Sequence, residues 1–473
     1  MNTKYTGVKG TRDFIGKDLR KRNYLLITLK SCFESFNFQE LQTPSFEKLE
    51  TLIGKYGDEE TNLMYKIISS GEKVKKADIQ ALKDGDLTNF SNSISDKGLR
   101  YDLTIPLSRF VRDQKNFLRT PFKRYQIQNV WRAERPQKGR FREFLQCDID
   151  TIGKSSYHNV VESILLCDMV FHKLGFKKLK LRINDVGILY TFGMNLGLST
   201  TIDLTVSPQS SYQDFASLLD KKDKIGLDKI IEKLDGPPFV DDSPVGNDAR
   251  GLKSVIYYLT LKGTPQEKLN DISEYVDPSW GGVGQLEKVF SALSKVKLKV
   301  LDIDLDFCLA RGLNYYTGII MEISSPDEMP IGSIVGGGRY DDLVNKGDKN
   351  TSGFGISFGF DRIKLIMDEL NLFPESTNNP NSFLFLNFGE ELSHEILKYI
   401  TELRYSGIVC ELYPNDIKMK KQLDYANDKK FDFVILFGLD EHKKNEFTIK
   451  DMNTGKQKSH NLSKIVDEIK KLS

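Results

Sequence analysis

The chain has 473 residues, of which 39% are apolar and 28% charged, and its formal net charge is +2. This composition predicts a soluble protein of roughly two to four domains, and so small a net charge excludes any inference of nucleic-acid binding from overall charge. No stretch approaches the ~18–20 apolar residues of a membrane span, and residues 1–10 contain no apolar signal core, so we expect a cytoplasmic protein without a membrane partner.

The five cysteines argue against two classes of small scaffold. They are odd in number, scattered along the chain and never form a Cys-x-x-Cys pair. This pattern fits neither a disulfide framework nor a structural zinc site. We therefore predict no protein-bound metal.

Four segments define the N-terminal three hundred residues. Residues 17–36 carry apolar side chains at helical spacing and predict an amphipathic helix, and residues 157–174 predict another. Residues 69–97 are polar without a clear strand pattern, which predicts a flexible or inserted surface segment. Residues 190 to about 300 are rich in helical patterns and broken by Gly236-Pro-Pro, so we predict an insertion with its own small core.

The C-terminal region has a different pattern. Strand patterns return at 300–305 and 319–323, and residues 371–382, rich in Asn, Ser and Pro, predict a linker. From 383 to 473 short apolar runs alternate with helical patterns, which predicts a small α/β domain with a parallel or mixed sheet. The predicted organisation is thus a domain over 1–370, a linker over 371–382 and a domain over 383–473.

A basic segment lies in the middle of the first domain. Residues 112–142 contain ten Lys or Arg and two acids, an excess of eight positive charges. A charge run of this kind is often only a solvated face. Here apolar and polar residues alternate as in a strand, so the arginines would project from one face of a sheet, where they suit phosphate.

The same segment predicts an antiparallel hairpin. One strand runs to Arg132, a loop is centred on 138–139, and a second strand runs from Arg142 to about Ile152. Arg132 and Phe144 would then share the hairpin, so a guanidinium could hold an α-phosphate while an aromatic ring stacks on a base. Phosphate loops of the Gly-Lys-Ser/Thr type and dinucleotide-binding glycine motifs are absent. Taken alone, the hairpin is equally typical of an RNA-binding surface.

The run from Phe122 to Asp150 resembles motif 2 of the class II aminoacyl-tRNA synthetases, and in detail that of their histidine-specific members. Other segments match the same family in the same order: Lys9-Gly-Thr-Arg-Asp-Phe, Arg100-Tyr-Asp-Leu-Thr-Ile-Pro, Leu309-Ala-Arg-Gly-Leu-Asn-Tyr-Tyr-Thr-Gly, Gly336-Gly-Gly-Arg-Tyr-Asp-Asp-Leu and Gly353-Phe-Gly-Ile-Ser-Phe-Gly-Phe-Asp-Arg-Ile. Motif 1 is represented by Leu41-Gln-Thr-Pro, and the region after the linker resembles the class II anticodon-binding domain. The resemblance covers nearly the whole chain apart from 69–97 and much of the insertion.

This resemblance implies both a fold and a reaction. The fold would be α/β with an α+β catalytic core: an antiparallel sheet flanked by helices, a helical insertion and a C-terminal α/β anticodon-binding domain. The reaction would join L-histidine to tRNA(His) through a histidyl-adenylate, with ATP as a substrate and Mg²⁺ as a cofactor. AMP and pyrophosphate would be released, and the enzyme would be a homodimer. Since the histidine carboxylate is itself the nucleophile, positioning and charge neutralisation can supply most of the catalysis.

The resemblance also implies roles for individual residues. For ATP it implies Arg132 at the α-phosphate, Glu134 at the adenine or metal end, Arg140 at the outer phosphates, Phe144 on adenine and Arg362 at the γ-phosphate. For histidine it implies Asp102, Thr104 and Gln146 at the α-amino group, Asp150, Tyr316 and Tyr340 at the imidazole, and Tyr315 lining the pocket. Arg311 would lie on the opposite side of the α-phosphate from Arg132. These two arginines would be the catalytic residues, and Arg311 would also contribute to the histidine site.

Two positions depart from the family pattern. Asn314 stands where the family usually has Asp, which leaves the role of that position open, and Asp102 stands where many bacterial members have Glu.

Three other functions compete with the ligase. They are a histidine-sensing regulatory paralogue, a class II synthetase for another amino acid, and an RNA-binding protein without catalysis. The regulatory paralogue generally lacks both aminoacylation activity and an anticodon-binding domain. This chain, by contrast, keeps the C-terminal region and the four arginines Arg132, Arg140, Arg311 and Arg362.

Overall fold

A computed structural model of the chain describes residues 7–53, 63–137, 139–198, 212–236, 249–276, 282–310, 315–345, 351–377 and 380–472. The chain divides into two units. The first comprises Met1–Asp13 and Arg22–Phe373, and the second comprises Phe14–Lys21 and Pro374–Ser473.

Most strands of the first unit form one eight-stranded sheet with the order β1-β5-β6-β11-β10-β9-β7-β8. Its strands are β1 (Gln39–Glu40), β5 (Phe122–Trp131), β6 (Glu143–Gly153), β7 (Leu179–Asp185), β8 (Leu301–Leu305), β9 (Ile319–Ser324), β10 (Ser333–Arg339) and β11 (Ser352–Phe358). The two outermost pairs are parallel and all five inner pairs are antiparallel. The predicted antiparallel sheet is therefore confirmed.

The predicted hairpin is its longest antiparallel pair. In the register of β5 and β6, Arg124 lies opposite Asp150 and Val130 lies opposite Phe144. The ladder continues one step further, because the Arg132 N–H donates to the Arg142 carbonyl at 2.9 Å. The strand pattern read from the sequence thus predicted both the pairing and its approximate ends.

Helices cover this sheet and extend beyond it. Helix α1 (Gly16–Ser35) spans both ranges, since residues 16–21 are counted in the second unit and residues 22–35 in the first. The other helices of the first unit are α2 (Leu49–Leu52), α3 (Glu72–Lys75), α4 (Ile79–Lys83), α5 (Leu87–Ser93), α6 (Thr104–Asp113), α7 (Tyr157–Lys173), α8 (Val186–Asn195), α9 (Tyr212–Leu219), α10 (Lys222–Ile225), α11 (Leu227–Leu234), α12 (Ala249–Thr260), α13 (Pro265–Ser273), α14 (Gly282–Leu293), α15 (Asp341–Val344) and α16 (Phe360–Glu369). The helices predicted at 17–36 and 157–174 correspond to α1 and α7. Within the described ranges, no helix has the length and apolar character required to cross a membrane.

Aromatic packing joins α1 and α7 to the sheet. The ring of Phe33 on α1 lies 5.4 Å from that of Phe358 on β11, and Phe171 on α7 lies 6.3 Å from the same ring. All three are fully buried. These contacts explain the helical apolar spacing of the two segments, because burial of large side chains is the main stabilising term in a core of this kind.

Within the described residues of the insertion the apolar side chains do not form a separate core, and in this respect the prediction was wrong. Its apolar residues belong to the same buried cluster as the central sheet, as Phe215, Ile230, Val255 and Leu286 show. The helical content was predicted correctly, since α9 to α14 fall within 190–300. Helical periodicity reports that a face is buried, but it does not report against what.

The prediction for 69–97 was also wrong in part. Three short helices, α3 to α5, occupy it, and β4 (Ser95–Leu99) begins at its end. β4 is the middle strand of a three-stranded antiparallel sheet with β2 (Phe46–Lys48) and β3 (Lys66–Ile68). Its aspartates act locally, since Asp78 and Asp86 accept hydrogen bonds from the backbone at the starts of α4 and α5. The polarity read as a sign of flexibility is thus partly helix capping.

The second unit contains the predicted mixed sheet, with the order β13-β12-β14-β15-β16. Its strands are β12 (Ser382–Phe385), β13 (Val409–Leu412), β14 (Phe433–Leu436), β15 (Glu446–Asp451) and β16 (Gln457–Asn461). The helices are α17 (Glu390–Tyr405), α18 (Met419–Lys429), α19 (Leu439–Lys444) and α20 (Ile465–Leu472), with 3₁₀ turns at Glu375–Thr377 and Leu462–Lys464. β12 is parallel to β13 and β14, while β15 and β16 add antiparallel pairs.

One carboxylate anchors the chain where it returns from the insertion to the sheet. Asp168 on α7 accepts hydrogen bonds from the backbone N–H groups of Lys299, Val300 and Leu301, at 2.8–3.0 Å. The Asp168 side chain is buried. Charged acceptors of backbone N–H groups are among the stronger hydrogen bonds, so this contact positions the start of β8.

We expect Asp168→Ala to lower the free energy of unfolding of the first unit by about 3 kcal/mol, because it leaves three backbone donors without their acceptor. Urea unfolding followed by tryptophan fluorescence measures it, since both tryptophans of the chain, at positions 131 and 280, fall within the sequence range of the first unit. The control is Asp302→Ala, which removes a surface ion pair with Lys178 and should cost less than about 0.5 kcal/mol. Equal effects of the two substitutions would contradict the anchoring role.

Candidate active site

A cavity of about 790 Å³ lies over the inner strands of the eight-stranded sheet. Twelve of the predicted site residues line it: Asp102, Thr104, Arg132, Glu134, Arg140, Phe144, Gln146, Asp150, Tyr315, Tyr316, Tyr340 and Arg362. The thirteenth, Arg311, and the variant position Asn314 lie outside the described residues. Segments that are more than two hundred residues apart in the sequence therefore meet around one space.

The alternation of β6 presents three polar side chains to this cavity. Gln146, Asp148 and Asp150 are two residues apart and all line it, because successive side chains of a strand point to opposite sides. Cys147 and Ile149 point to the other side and are part of the apolar core. Each of the three polar residues is less than one-tenth exposed. The cavity therefore has a polar floor on an otherwise apolar strand.

Asp150 is held by one cation and one hydroxyl group. The guanidinium of Arg124, from the opposite position on β5, lies 2.7 Å from its Oδ2, and both side chains are buried. The Tyr340 hydroxyl donates to its Oδ1. Burial raises the pKa of Asp150, while Arg124 and the Tyr340 hydrogen bond act against that rise. Together these two partners favour an ionised, oriented carboxylate inside the cavity.

Glycines leave the space that Asp150 and Tyr340 occupy. A Cβ at Gly355, opposite Asp150 on β11, would lie 1.9 Å from Asp150 Oδ1. A Cβ at Gly353 would lie 2.4 Å from the Tyr340 ring. Glycine is therefore required at both positions by close approach of side chains from neighbouring segments.

Arg132 is oriented by contacts on several sides. Its Nε donates to the Tyr101 carbonyl at 3.1 Å and its Nη2 donates to Gln146 Oε1 at 3.4 Å. The guanidinium carbon lies 4.4 Å from the centre of the Tyr101 ring and 5.1 Å from that of Phe144. These contacts hold the positive charge at the cavity wall beside a half-buried aromatic ring.

Further charges line a second part of the cavity, where residue 139 lies close to Arg362. The guanidinium of Arg140 lies 3.7 Å from the Glu134 carboxylate, and Arg140 is exposed. Arg362, at the start of α16, donates from Nη1 to the Ser333 carbonyl at 2.6 Å. The neighbouring Asp361 pairs with Arg12 and Arg22, so the start of α16 is held by the N-terminal segment of the same unit. This part of the cavity is cationic and suits an anion.

The remaining predicted residues form a wall around the start of α6. Asp102 is buried and accepts a hydrogen bond from the Ile105 N–H at 3.1 Å. The ring of Tyr315 lies 4.9 Å from that of Tyr316 and 6.2 Å from that of Tyr340. Burial raises the pKa of Tyr315 and of Tyr340, so both hydroxyl groups stay protonated and can donate hydrogen bonds.

Several cavity residues were missed in the sequence analysis. Asp148, Arg182 and Glu322 line the cavity, the last two as an ion pair, and Arg124 contacts the predicted residue Asp150 from outside the lining. The alternation of β6 already indicated Asp148, because residues 146, 148 and 150 point to the same face of the strand and the outer two were predicted site residues. Arg124 could be found only from the β5–β6 register, and the Arg182–Glu322 pair only from the order of β7 and β9.

Two protein-family models match this chain, one in its first part and one in its C-terminal part. A family model described as "Histidyl-tRNA synthetase" matches residues 87–363, and one described as "Anticodon binding domain" matches residues 382–472. A histidine–tRNA ligase of Christiangramia forsetii is 43% identical over 453 residues, covering 95% of both chains. One of Azobacteroides pseudotrichonymphae is 41% identical over 462 residues, covering 97% of this chain and 96% of the relative.

Solved structures show the same similarity. A histidyl-tRNA synthetase from Nostoc sp. superposes with a TM-score of 0.73 at 25% identity, covering 99% of this chain and 100% of that one. A structure titled as an ATP phosphoribosyltransferase regulatory subunit/histidyl-tRNA synthetase, from Bacillus halodurans, has a TM-score of 0.69 at 16% identity, covering 93% of this chain and 99% of that one. The second likeness concerns the fold alone. Fold by itself thus does not distinguish an enzyme from a regulatory subunit, whereas the full-length relatives do.

We expect Gly355→Ala to lower the free energy of unfolding by about 2 kcal/mol, because the added methyl group must displace the buried Asp150 carboxylate. The matched control is Gly284→Ala in α14, where nothing lies within 4 Å of the added Cβ. That change should leave stability unchanged or raise it by up to about 1 kcal/mol, as alanine favours a helix. Urea unfolding measures both, and an equally harmless Gly355→Ala would contradict the close approach.

Proposed function

The chain belongs to the histidyl-tRNA synthetase family, whose members charge tRNA(His) with histidine, and on this premise we propose how its residues share the reaction. The observation that carries the proposal is the meeting of twelve predicted residues around one cavity. We propose that this cavity holds histidine and ATP together, so that the histidine carboxylate attacks the α-phosphorus. Adenylate and pyrophosphate are then the products of the first step.

Arg132 is proposed to bind the α-phosphate. Its contacts with the Tyr101 carbonyl, Gln146 and two aromatic rings support this role, because they hold the guanidinium in place before substrate arrives. A cation that is already oriented neutralises charge developing on the phosphorus without reorganisation during the reaction. By resemblance we assign Arg311 to the other side of the same phosphate.

Asp150 and Tyr340 are proposed to read the imidazole, with Tyr316 beside them and Tyr315 lining the pocket. A neutral imidazole offers one N–H donor and one nitrogen acceptor. The Asp150 carboxylate is suited to the donor, and a tyrosine hydroxyl is suited to the acceptor. A side chain without these groups would leave a buried carboxylate unpaired, which is a strong basis for rejection of other amino acids.

Asp102, Thr104 and Gln146 are proposed to hold the α-amino group. All three line the cavity, Asp102 and Thr104 interact with Tyr315, and each of the three carries an oxygen that can accept a hydrogen bond. An ammonium group needs such acceptors because it is a donor only. Asp102, which is shorter than the Glu of many bacterial members, is compatible with this role, since it is buried and lines the cavity.

The cationic part of the cavity is proposed to hold the rest of ATP. Phe144 would stack on adenine, Glu134 would lie at the adenine or metal end, and Arg140 and Arg362 would bind the outer phosphates. No cluster of three or more His, Cys, Asp or Glu side chains suited to a metal occurs among the described residues. We propose that Mg²⁺ accompanies the phosphates of ATP.

The second unit carries the anticodon-binding domain. Residues 381–473 contain fifteen basic and fifteen acidic side chains, so net charge does not support RNA binding there, and the proposed contact with the tRNA(His) anticodon rests on the family. We further propose a cytoplasmic homodimer, with Leu41-Gln-Thr-Pro as the core of motif 1. The proposed boundaries remain 1–370 for the catalytic domain, 371–382 for the linker and 383–473 for the anticodon-binding domain.

We expect ATP–pyrophosphate exchange by the purified protein with histidine alone among the twenty amino acids. Arg132→Ala should slow this exchange by about 100-fold or more, because it removes the proposed α-phosphate ligand. Arg112→Ala, an exposed arginine in the last turn of α6, is the control and should have no effect. A folded protein that binds histidine but exchanges with no amino acid would instead be a histidine-sensing regulatory subunit.

We expect Tyr340→Phe to raise the KM for histidine about tenfold and to leave the KM for ATP unchanged, because the variant loses the hydroxyl group that orients Asp150. Steady-state exchange at varied histidine and varied ATP separates the two constants. Tyr405→Phe removes the hydroxyl of a tyrosine that is 91% exposed and serves as the control. Equal changes in both KM values would contradict a role confined to histidine.

A further inference from the structure

The carboxamide of Gln146 is held between an anion and a cation. Its Nε2 donates to Asp148 Oδ2 at 2.9 Å, and its Oε1 accepts from Arg132 Nη2 at 3.4 Å. Asp148 and Gln146 are both less than one-tenth exposed, and both line the cavity. The two ends of the amide therefore have different partners, and the orientation of the amide is specified.

The chemistry of these two neighbours decides which end of Gln146 faces the substrate. An ionised carboxylate has acceptors only, so it must take the –NH₂ end of an amide. A guanidinium has donors only, so it must take the oxygen end. With its –NH₂ group directed at Asp148, Gln146 directs its oxygen to the other side, towards Arg132 and the cavity, where an ammonium group needs an acceptor.

We propose that Asp148 is a positioning residue for histidine binding: its carboxylate fixes the amide of Gln146 so that Oε1 faces the substrate α-ammonium group. This inference rests on the proposed contact between Gln146 and the α-amino group. If the amide were reversed, its –NH₂ group would face the ammonium, and two donors would oppose each other. Asp148 thus acts through Gln146 and needs no contact with histidine.

The surroundings of Asp148 support this role. Ser357 on β11 and Gln126 on β5 lie opposite it in the sheet, and Arg124 and Asp150 are the nearest charges. Burial raises the pKa of Asp148 to about 7, with Asp150 adding to the rise and Arg124, Ser357 and Gln146 opposing it. The carboxylate is therefore fully ionised only well above neutral pH, so the test is made at about pH 8.5.

Asp148→Asn is the most informative variant, because it keeps the size of the side chain and removes its preference for a donor. An asparagine can present either its oxygen or its –NH₂ group to Gln146, so position 148 no longer selects the amide orientation, and only the 3.4 Å contact with Arg132 still favours it. We expect the KM for histidine in ATP–pyrophosphate exchange to rise roughly tenfold, with kcat and the KM for ATP changed less than about twofold. Asp148→Ala removes the acceptor altogether, gives an independent test if the asparagine variant does not fold, and should have the same effect.

A double-mutant cycle tests whether Asp148 acts through Gln146. Gln146→Ala alone should raise the KM for histidine by roughly ten- to fiftyfold. Adding Asp148→Asn to Gln146→Ala should then change that KM by less than about twofold. If the two effects multiply instead, or if Asp148→Asn alone has no effect, the positioning role is wrong. If Gln146→Ala itself leaves the KM unchanged, the proposed α-amino contact fails first, and the positioning role fails with it.

Imidazolepropionate, which is histidine without its α-amino group, provides a second readout. As a competitive inhibitor it should bind equally well to the wild-type protein and to the Asp148→Asn variant, because it has no ammonium group for Gln146 to accept from. General damage to the cavity would weaken both histidine and this inhibitor. A parallel loss of the two affinities would therefore overturn the proposal.

Discussion

The ion pair between Arg124 and Asp150 is the interaction on which the organisation of the cavity depends. Both side chains are buried, and they face each other across the β5–β6 hairpin. A buried ion pair contributes little net stability, because the loss of hydration offsets most of the attraction, yet loss of one partner leaves an unpaired charge. Such a pair is therefore better understood as a means of holding a carboxylate ionised at a defined place. Tyr340, which is 190 residues away in sequence, completes this arrangement through its hydroxyl group.

Glycine makes this arrangement possible. Gly355 stands opposite Asp150 and Gly353 lies under the Tyr340 ring, so the glycine-rich strand β11 leaves open the volume that the acid and the tyrosine fill. If Gly355 and Gly353 carried side chains, Asp150 and Tyr340 could not occupy their present positions. The polar floor formed by Gln146, Asp148 and Asp150 is thus a property of two strands together. Neither β6 nor β11 would create it alone.

Two predictions failed for the same physical reason, which is that local patterns do not identify packing partners. The helices of the insertion were visible from their periodicity, but their apolar faces join the central core rather than a separate one. The polar segment before Leu99 contains capped helices and a central strand, because its aspartates bind backbone N–H groups and its strand is covered on one side by Leu49 and Leu52. In both cases the local pattern, helical periodicity in the insertion and polarity in residues 69–97, did not indicate which distant residues the segment contacts.

Four features could be predicted from the amino-acid sequence: the strand pattern of the hairpin, the shared face of Gln146 and Asp150, the helices α1 and α7, and the family to which the motifs belong. These follow from side-chain alternation, helical periodicity and short motifs, all of which are local. Three contacts became visible only in the folded chain: Arg124 pairs with Asp150, Asp148 accepts from the amide of Gln146, and Arg182 pairs with Glu322 in the lining of the cavity. Such contacts depend on strand order and register, which set distances between residues far apart in the chain and leave no trace in the local pattern.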